Sequence, residues 1–147
     1  MLRNIATTAL LCSSSLITTA CVTDDVRGIL VGGFSDTEPT VIPIVIPAPQ
    51  DGEYHIHYGF TQEGRVCLLT GEIPTDRIAF FEPCEGLRGT GRISCNDGRM
   101  LNLRWVLTSC QGGYGRSDAH ADSSFYFGFG ESEEHARDQL SKARHED

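Results

Sequence analysis

The sequence predicts an all-β fold, a small antiparallel sandwich or barrel of about six to seven strands with a short C-terminal helix. Between residues 53 and 130, apolar and polar residues alternate in short runs, which is the pattern of strands with one buried face. Turn residues separate these runs, and Asp97-Gly98 is the strongest hairpin signal among them. The predicted divisions of the chain are a leader (1–20), a tether (21–52), a β-domain (53–130) and a helix with a tail (131–147).

The leader has the three-part plan of a secretory signal peptide. Arg3 precedes an apolar stretch, and small residues follow that stretch up to Ala20. The apolar stretch is too short to predict a membrane-spanning helix. The sequence therefore predicts an exported protein.

The end of the leader, LITTAC over residues 16–21, resembles the lipobox of bacterial lipoproteins. This resemblance implies cleavage after Ala20 and attachment of a diacylglyceryl group to the thiol of Cys21. Two or more acyl chains hold a protein stably at a membrane. Because Val22 rather than an aspartate follows Cys21, the resemblance implies an outer-membrane lipoprotein that faces the periplasm. Ordinary secretion is the alternative.

Residues 21–52 are rich in proline and glycine, which interrupt regular elements, and this composition predicts a tether. The apolar run over residues 40–46 is also compatible with an edge strand, where a proline is tolerated. An extended linker that spaces the domain from the membrane is the other interpretation, and the sequence leaves both open.

The β-domain is predicted to bury one face of each strand. Strands are expected over 53–60, 66–73, 77–82, 91–95, 100–108, 114–120 and 124–129. The side chains predicted to face the core are Tyr54, Ile56, Tyr58, Phe60, Leu101, Leu103, Trp105, Leu107, Phe125, Phe127 and Phe129.

A helix is predicted to begin after Ser132, which is a suitable N-cap and is followed by two glutamates. Ala136, Leu140 and Ala143 form its apolar stripe. So narrow a stripe predicts that the helix covers only a sheet edge.

Cysteine arithmetic predicts two disulfides. Cys12 leaves with the leader and Cys21 takes the lipid, so an even number remains in an exported domain. The absence of a C-x-x-C pair disfavours a four-cysteine zinc site. The remaining cysteines are Cys67, Cys84, Cys95 and Cys110.

The hairpin turn bears on which cysteines pair. A straight hairpin sets Cys95 opposite Met100 and places Cys110 within one residue of the position opposite Cys84. This favours the pair Cys84–Cys110 and leaves Cys67–Cys95, because the Cα atoms must approach within about 7 Å. The rival connectivity, Cys67–Cys84 with Cys95–Cys110, stays open.

The chain is acidic, with a formal net charge of -8, and its basic residues are scattered singly along the sequence. The excess of acidic residues and the scattering of the basic ones predict that the surface has no basic patch. Such a surface argues against nucleic-acid binding and against electrostatic docking on anionic lipid.

His55 and His57 are the one pair whose spacing suggests a metal ion. Two histidines two residues apart on a strand share a face, and zinc or copper sites use such pairs. His120 is the candidate third ligand. The alternative, which the residues favour, is that both side chains lie on the solvent face of an amphipathic strand and that no cofactor binds.

The last third of the chain resembles the carboxy-terminal part of small bacterial envelope proteins of unknown activity, and the resemblance implies no reaction. The residues that carry it are Cys95 to Arg99, Trp105, Cys110, Gly112 to Gly115 and Phe127 to Gly130.

The sequence contains no nucleophile elbow, no metalloprotease motif and no phosphate-binding loop, so we do not expect an enzyme. The expected function is that of a lipid-anchored envelope protein with a structural or binding role. Its expected partners are the membrane, through the anchor, and another envelope protein. The alternative is a metal-binding lipoprotein that uses the histidine pair.

Overall fold

The computed structural model describes residues 25–47, 53–74, 84–118 and 124–146. Within these ranges the chain forms eight strands and one helix. The strands are β1 (Val26–Phe34), β2 (Thr40–Ile46), β3 (Glu53–Gln62), β4 (Arg65–Pro74), β5 (Arg88–Cys95), β6 (Met100–Ser109), β7 (Gly112–Ser117) and β8 (Phe125–Gly130), and the helix is α1 (Glu133–His145).

The eight strands make one antiparallel sheet in the order β2-β1-β8-β7-β6-β5-β4-β3. β1 pairs with both β2 and β8, and the sheet curls so that its two end strands, β2 and β3, are in contact. We call the boundary between these two strands, which share no ladder, the seam. The all-β prediction is confirmed as a nearly closed barrel with a C-terminal helix, and the described ranges hold eight strands where about six to seven were predicted.

The extra strands correct the predicted tether. β1 and β2 occupy half of residues 21–52, so the β-domain begins at Val26, and the edge-strand interpretation holds for β2. The tether prediction failed because glycine in these strands allows close packing, whereas the sequence pattern was interpreted as that of a flexible linker. A Cβ on Gly32 would meet Cβ of Phe127 at 2.8 Å. The strand predicted over 77–82 lies outside the described residues.

The barrel interior is an apolar core that contains nine of the eleven side chains predicted to face inward, and the other two, Tyr54 and Leu107, are buried outside this cluster. Phe125 packs edge-on against Phe34, with ring centroids 5.2 Å apart. The guanidinium groups of Arg65 and Arg99 lie over the Phe34 ring, 5.3 and 5.1 Å from its centroid. These two cations cover Phe34, which is fully buried. The buried members of this core are Leu30, Phe34, Ile42, Phe60, Cys67, Leu69, Ile93, Leu103, Trp105, Phe125 and Phe127.

The helix begins as predicted: the Ser132 hydroxyl accepts a hydrogen bond from the His135 backbone N–H at 3.2 Å. Its stripe packs on the outer face of β8, β7 and β1, not on a sheet edge. The expectation of edge cover is therefore wrong. Gly128 explains the difference, because a Cβ there would overlap the helix backbone at Ala136 and Leu140. A glycine in the strand lets the helix axis approach closely enough for a narrow stripe to bury fully.

The disulfides are Cys67–Cys95 and Cys84–Cys110, the connectivity that the hairpin favoured, with Cα atoms 4.0 and 4.9 Å apart. The register behind that prediction needs one correction, since Met100 lies opposite Ser94 rather than Cys95. When this register is continued along the chain, the shift of one residue places Cys110 opposite Cys84.

Candidate functional site

The seam is the one boundary between described strands of the barrel that lacks a backbone ladder. In a β-strand the N–H and C=O of one residue point to the same side. The Pro43 carbonyl accepts a hydrogen bond from the Tyr58 hydroxyl of β3, so the proline nitrogen also faces the seam. Proline has no N–H to donate, and β2 therefore cannot offer β3 a full ladder at this point.

Behind the seam lies an apolar cavity of about 50 Å³, which we call the seam cavity. Aliphatic and aromatic side chains from β2, β3 and β4 meet there with Trp105 of β6 and two phenylalanines of β8. Few polar groups reach it. The lining residues are Leu30, Ile44, Val45, Ile46, Ile56, His57, Tyr58, Leu69, Thr70, Gly71, Trp105, Phe127 and Phe129.

Trp105 is positioned by glycines. A Cβ on Gly71 would come within 2.6 Å of the indole ring, and Cβ atoms on Gly89 and Gly91 would also collide with it. Glycine at three inward positions of β4 and β5 makes room for the largest side chain, which is only 7% exposed. Sequence reasoning missed this cavity, although glycines where inward-facing residues are expected are a signal of close approach.

The histidine pair lies where the alternation predicted, on the outer face of β3. His55 Nδ1 is 4.0 Å from the Glu72 carboxylate on β4, and His57 is exposed. Among the described residues, no three side chains of the metal-binding types are grouped closely enough to hold an ion. His120 lies outside the described residues, so the metal site with zinc or copper stays a prediction.

Four arginines lie together on the outer face of β5, β6 and β7. Arg104 of β6 is directly opposite Arg116 of β7, and Arg88 and Arg92 of β5 are its diagonal neighbours. We call this group the arginine face. The expectation that the basic residues form no patch is wrong, because strand register brings together residues that are scattered in the sequence.

The arginine face borders a depression of about 250 Å³ beside the end of α1. Arg88, Arg104 and Arg116 line it together with Tyr114 and Glu146. Burial raises the pKa of Tyr114, and the hydrogen bond and charge of Glu146 raise it further, whereas the two nearby cations Arg88 and Arg116 lower it. Glu146 therefore lies beside Tyr114 in the depression that the arginines line.

Comparison with known proteins gives no identity: no family model, no curated protein and no solved structure matches the chain. The predicted lipid site, Cys21, lies outside the described residues. No helix in the described ranges is long and apolar enough to cross a membrane.

Proposed function

We propose that this chain is a lipid-anchored protein of the bacterial envelope that binds a small apolar ligand in the seam cavity and performs no catalysis. Its anchor is Cys21, in the periplasmic leaflet of the outer membrane. The binding role is carried by one observation, the apolar cavity behind an unpaired boundary of the barrel. Eight-stranded barrels are about the size at which the interior either fills with side chains or holds one small ligand.

The size of the seam cavity sets how a ligand enters. At about 50 Å³ it holds only a few heavy atoms as it stands. No ladder joins β2 to β3, so the strands can separate without breaking backbone pairs. Opening would break the Tyr58 hydrogen bond to Pro43 and, at the end of the seam, the hydrogen bond that Gln62 Nε2 donates to the Glu38 carbonyl at 2.8 Å. A ligand larger than a few atoms therefore enters as the seam widens.

The cysteine pairing supports the anchor. All four cysteines of the β-domain are bonded to one another. Cys21 is then left with no disulfide partner in the domain, which suits a residue whose thiol carries a lipid.

Tryptophan fluorescence tests the binding role, because Trp105 is the only tryptophan and lines the cavity. We expect the neutral dye N-phenyl-1-naphthylamine to bind saturably and to quench Trp105 by energy transfer. Ile44→Phe fills the cavity and should weaken binding about tenfold or more, which corresponds to about 1.4 kcal/mol.

Val41→Phe is the matched control, since Val41 lies on the same strand, is 37% exposed and does not line the cavity. It should bind the dye like the wild-type protein, and melting curves establish that both variants fold. Absence of saturable quenching, or equal binding by both variants, would contradict the proposed role.

Metal binding is the second candidate. It is favoured by the shared outer face of His55 and His57 and by the nearby Glu72 carboxylate, and it needs a further ligand such as His120. Zinc or copper in excess should then raise the melting temperature of the wild-type protein but not of the double variant His55→Gln/His57→Gln. A melting temperature that excess metal leaves unchanged argues against this candidate.

A further inference from the structure

The arginine face places like charges side by side. Arg104 and Arg116 are directly opposed across β6 and β7, and such a pair is destabilising when it is left uncompensated. Each of them has a compensating contact. Arg104 Nε lies 2.7 Å from Asp118 Oδ1, and Arg116 donates a hydrogen bond to the backbone carbonyl of Glu146.

The remaining two cations of this face are not compensated in the same way. Arg88 and Arg92 are exposed, and neither forms an ion pair with any residue in the described ranges. A polar depression of about 670 Å³ extends from Arg92 and Arg104 across the outer face towards His57. The arginine face is thus open to solvent and carries unpaired positive charge on a chain whose net charge is -8.

The chain itself indicates which chemistry fits this surface. Three anionic groups border the arginine face, and all are carboxylates: Asp118, Glu146 and Glu72, the last of which lines the depression beside Arg92. A guanidinium group binds a carboxylate through two parallel hydrogen bonds, which favours arginine where such groups must be recognised.

We propose that the arginine face docks an acidic segment of a partner protein. Diagonal neighbours on a sheet are about 7 Å apart, close to the distance between alternate side chains of an extended chain. Aspartate or glutamate at alternate positions of such a segment meets Arg88, Arg104 and Arg92 in turn. The partner's carboxylates pair with Arg88 and Arg92, which form no ion pair within the described residues.

Fluorescence anisotropy with a fluorescein-labelled decaglutamate peptide tests this proposal on the full-length protein at low ionic strength. The wild-type protein should bind the peptide despite its own negative charge. Each exposed ion pair contributes only modestly, so Arg88→Gln/Arg92→Gln, which removes two of them, should weaken binding about tenfold. Arg27→Gln/Arg144→Gln removes the same charge from other surfaces and should have a much smaller effect.

A variant that removes a negative charge, and is therefore expected to strengthen binding, provides a second test. Glu146→Gln removes a negative charge from the depression that Arg88, Arg104 and Arg116 line, and it should strengthen peptide binding. Glu134→Gln, which removes an exposed carboxylate at the other end of α1, is its control. The proposal is overturned if the wild-type protein does not bind the peptide, or if the two arginine double variants weaken binding equally.

Vesicles that contain phosphatidylglycerol serve as the competing probe. If they bind through Arg88 and Arg92 while the peptide does not, the face recognises anionic lipid and the proposal for a protein partner fails. Dye binding in the seam cavity is read independently, because none of the four arginines lines that cavity. Loss of either activity therefore leaves the other open to measurement.

Discussion

At the scale of single residues, Gly128 determines how closely the helix packs on the barrel. A Cβ at this position would overlap the backbone at Ala136 and Leu140, which cannot move without displacing α1. We expect Gly128→Ala to lower the free energy of unfolding by about 1–3 kcal/mol, the usual effect of overpacking a core. Urea denaturation followed by circular dichroism measures this change.

Gly59→Ala is the matched control for that substitution. Gly59 also lies within a strand, but nothing lies within 4 Å of a Cβ built there, and its φ is not positive. Replacement should leave stability unchanged or raise it slightly, because alanine loses less conformational entropy on folding. Equal destabilisation by both substitutions would mean that close approach of α1 is not what requires Gly128.

Individual side-chain orientations were largely predictable because strands have a period of two. Tyr54, Phe60 and Phe125 are buried, as the alternation predicted, and the histidine pair points outward. The arginine face was not predictable from spacing alone. It depends on which strands are neighbours and in what register, and no local pattern in the sequence specifies this.

At the scale of elements, the N-cap of α1 contributes a measurable share of the stability. Ser132 accepts a hydrogen bond from the third residue beyond it, which satisfies one of the free N–H groups of the first turn. We expect Ser132→Ala to lower the free energy of unfolding by about 1 kcal/mol. Chemical denaturation measures the difference.

Ser141→Ala provides the comparison on the same helix. Ser141 is exposed and lies inside the helix, where alanine has the higher helix propensity. Its replacement should be neutral or slightly stabilising. A loss at Ser141 as large as the loss at Ser132 would show that the capping bond is not the cause.

The first two strands mark the limit of element prediction in this chain. The alternation in β3 and β6 and the Asp-Gly turn were strong local signals, and both hairpins formed. β1 and β2 carry glycine and proline, which resemble linker composition. These residues are explained by contacts between strands that are distant in the sequence. Gly32 allows close contact with Phe127, and Pro43 faces the seam, where no backbone N–H donor is needed.

At the scale of the whole molecule, the disulfide Cys84–Cys110 closes a segment of 26 residues. Replacement of both cysteines by serine should lower the free energy of unfolding by about 3 kcal/mol, because the unfolded chain regains the entropy of an open loop. Thermal and urea unfolding of the double variant measure this loss. A stability equal to that of the wild-type protein would contradict the pairing.

The seam cavity belongs to this scale too, which is why the sequence did not reveal it. Its walls come from six strands, and it exists only because the sheet curls until β2 meets β3 without pairing. The disulfide pattern was easier to predict, since it depends on a single hairpin.

Lipid attachment at Cys21 is the central claim about where this protein works, and the mass of the intact protein tests it most directly. The protein is produced with its own leader in a Gram-negative host, extracted from membranes and weighed, and its peptides are mapped without reduction. We predict an N-terminus at a triacylated Cys21, with bridges Cys67–Cys95 and Cys84–Cys110. An unmodified Cys21, or an N-terminus elsewhere, would contradict the claim and place the barrel free in solution.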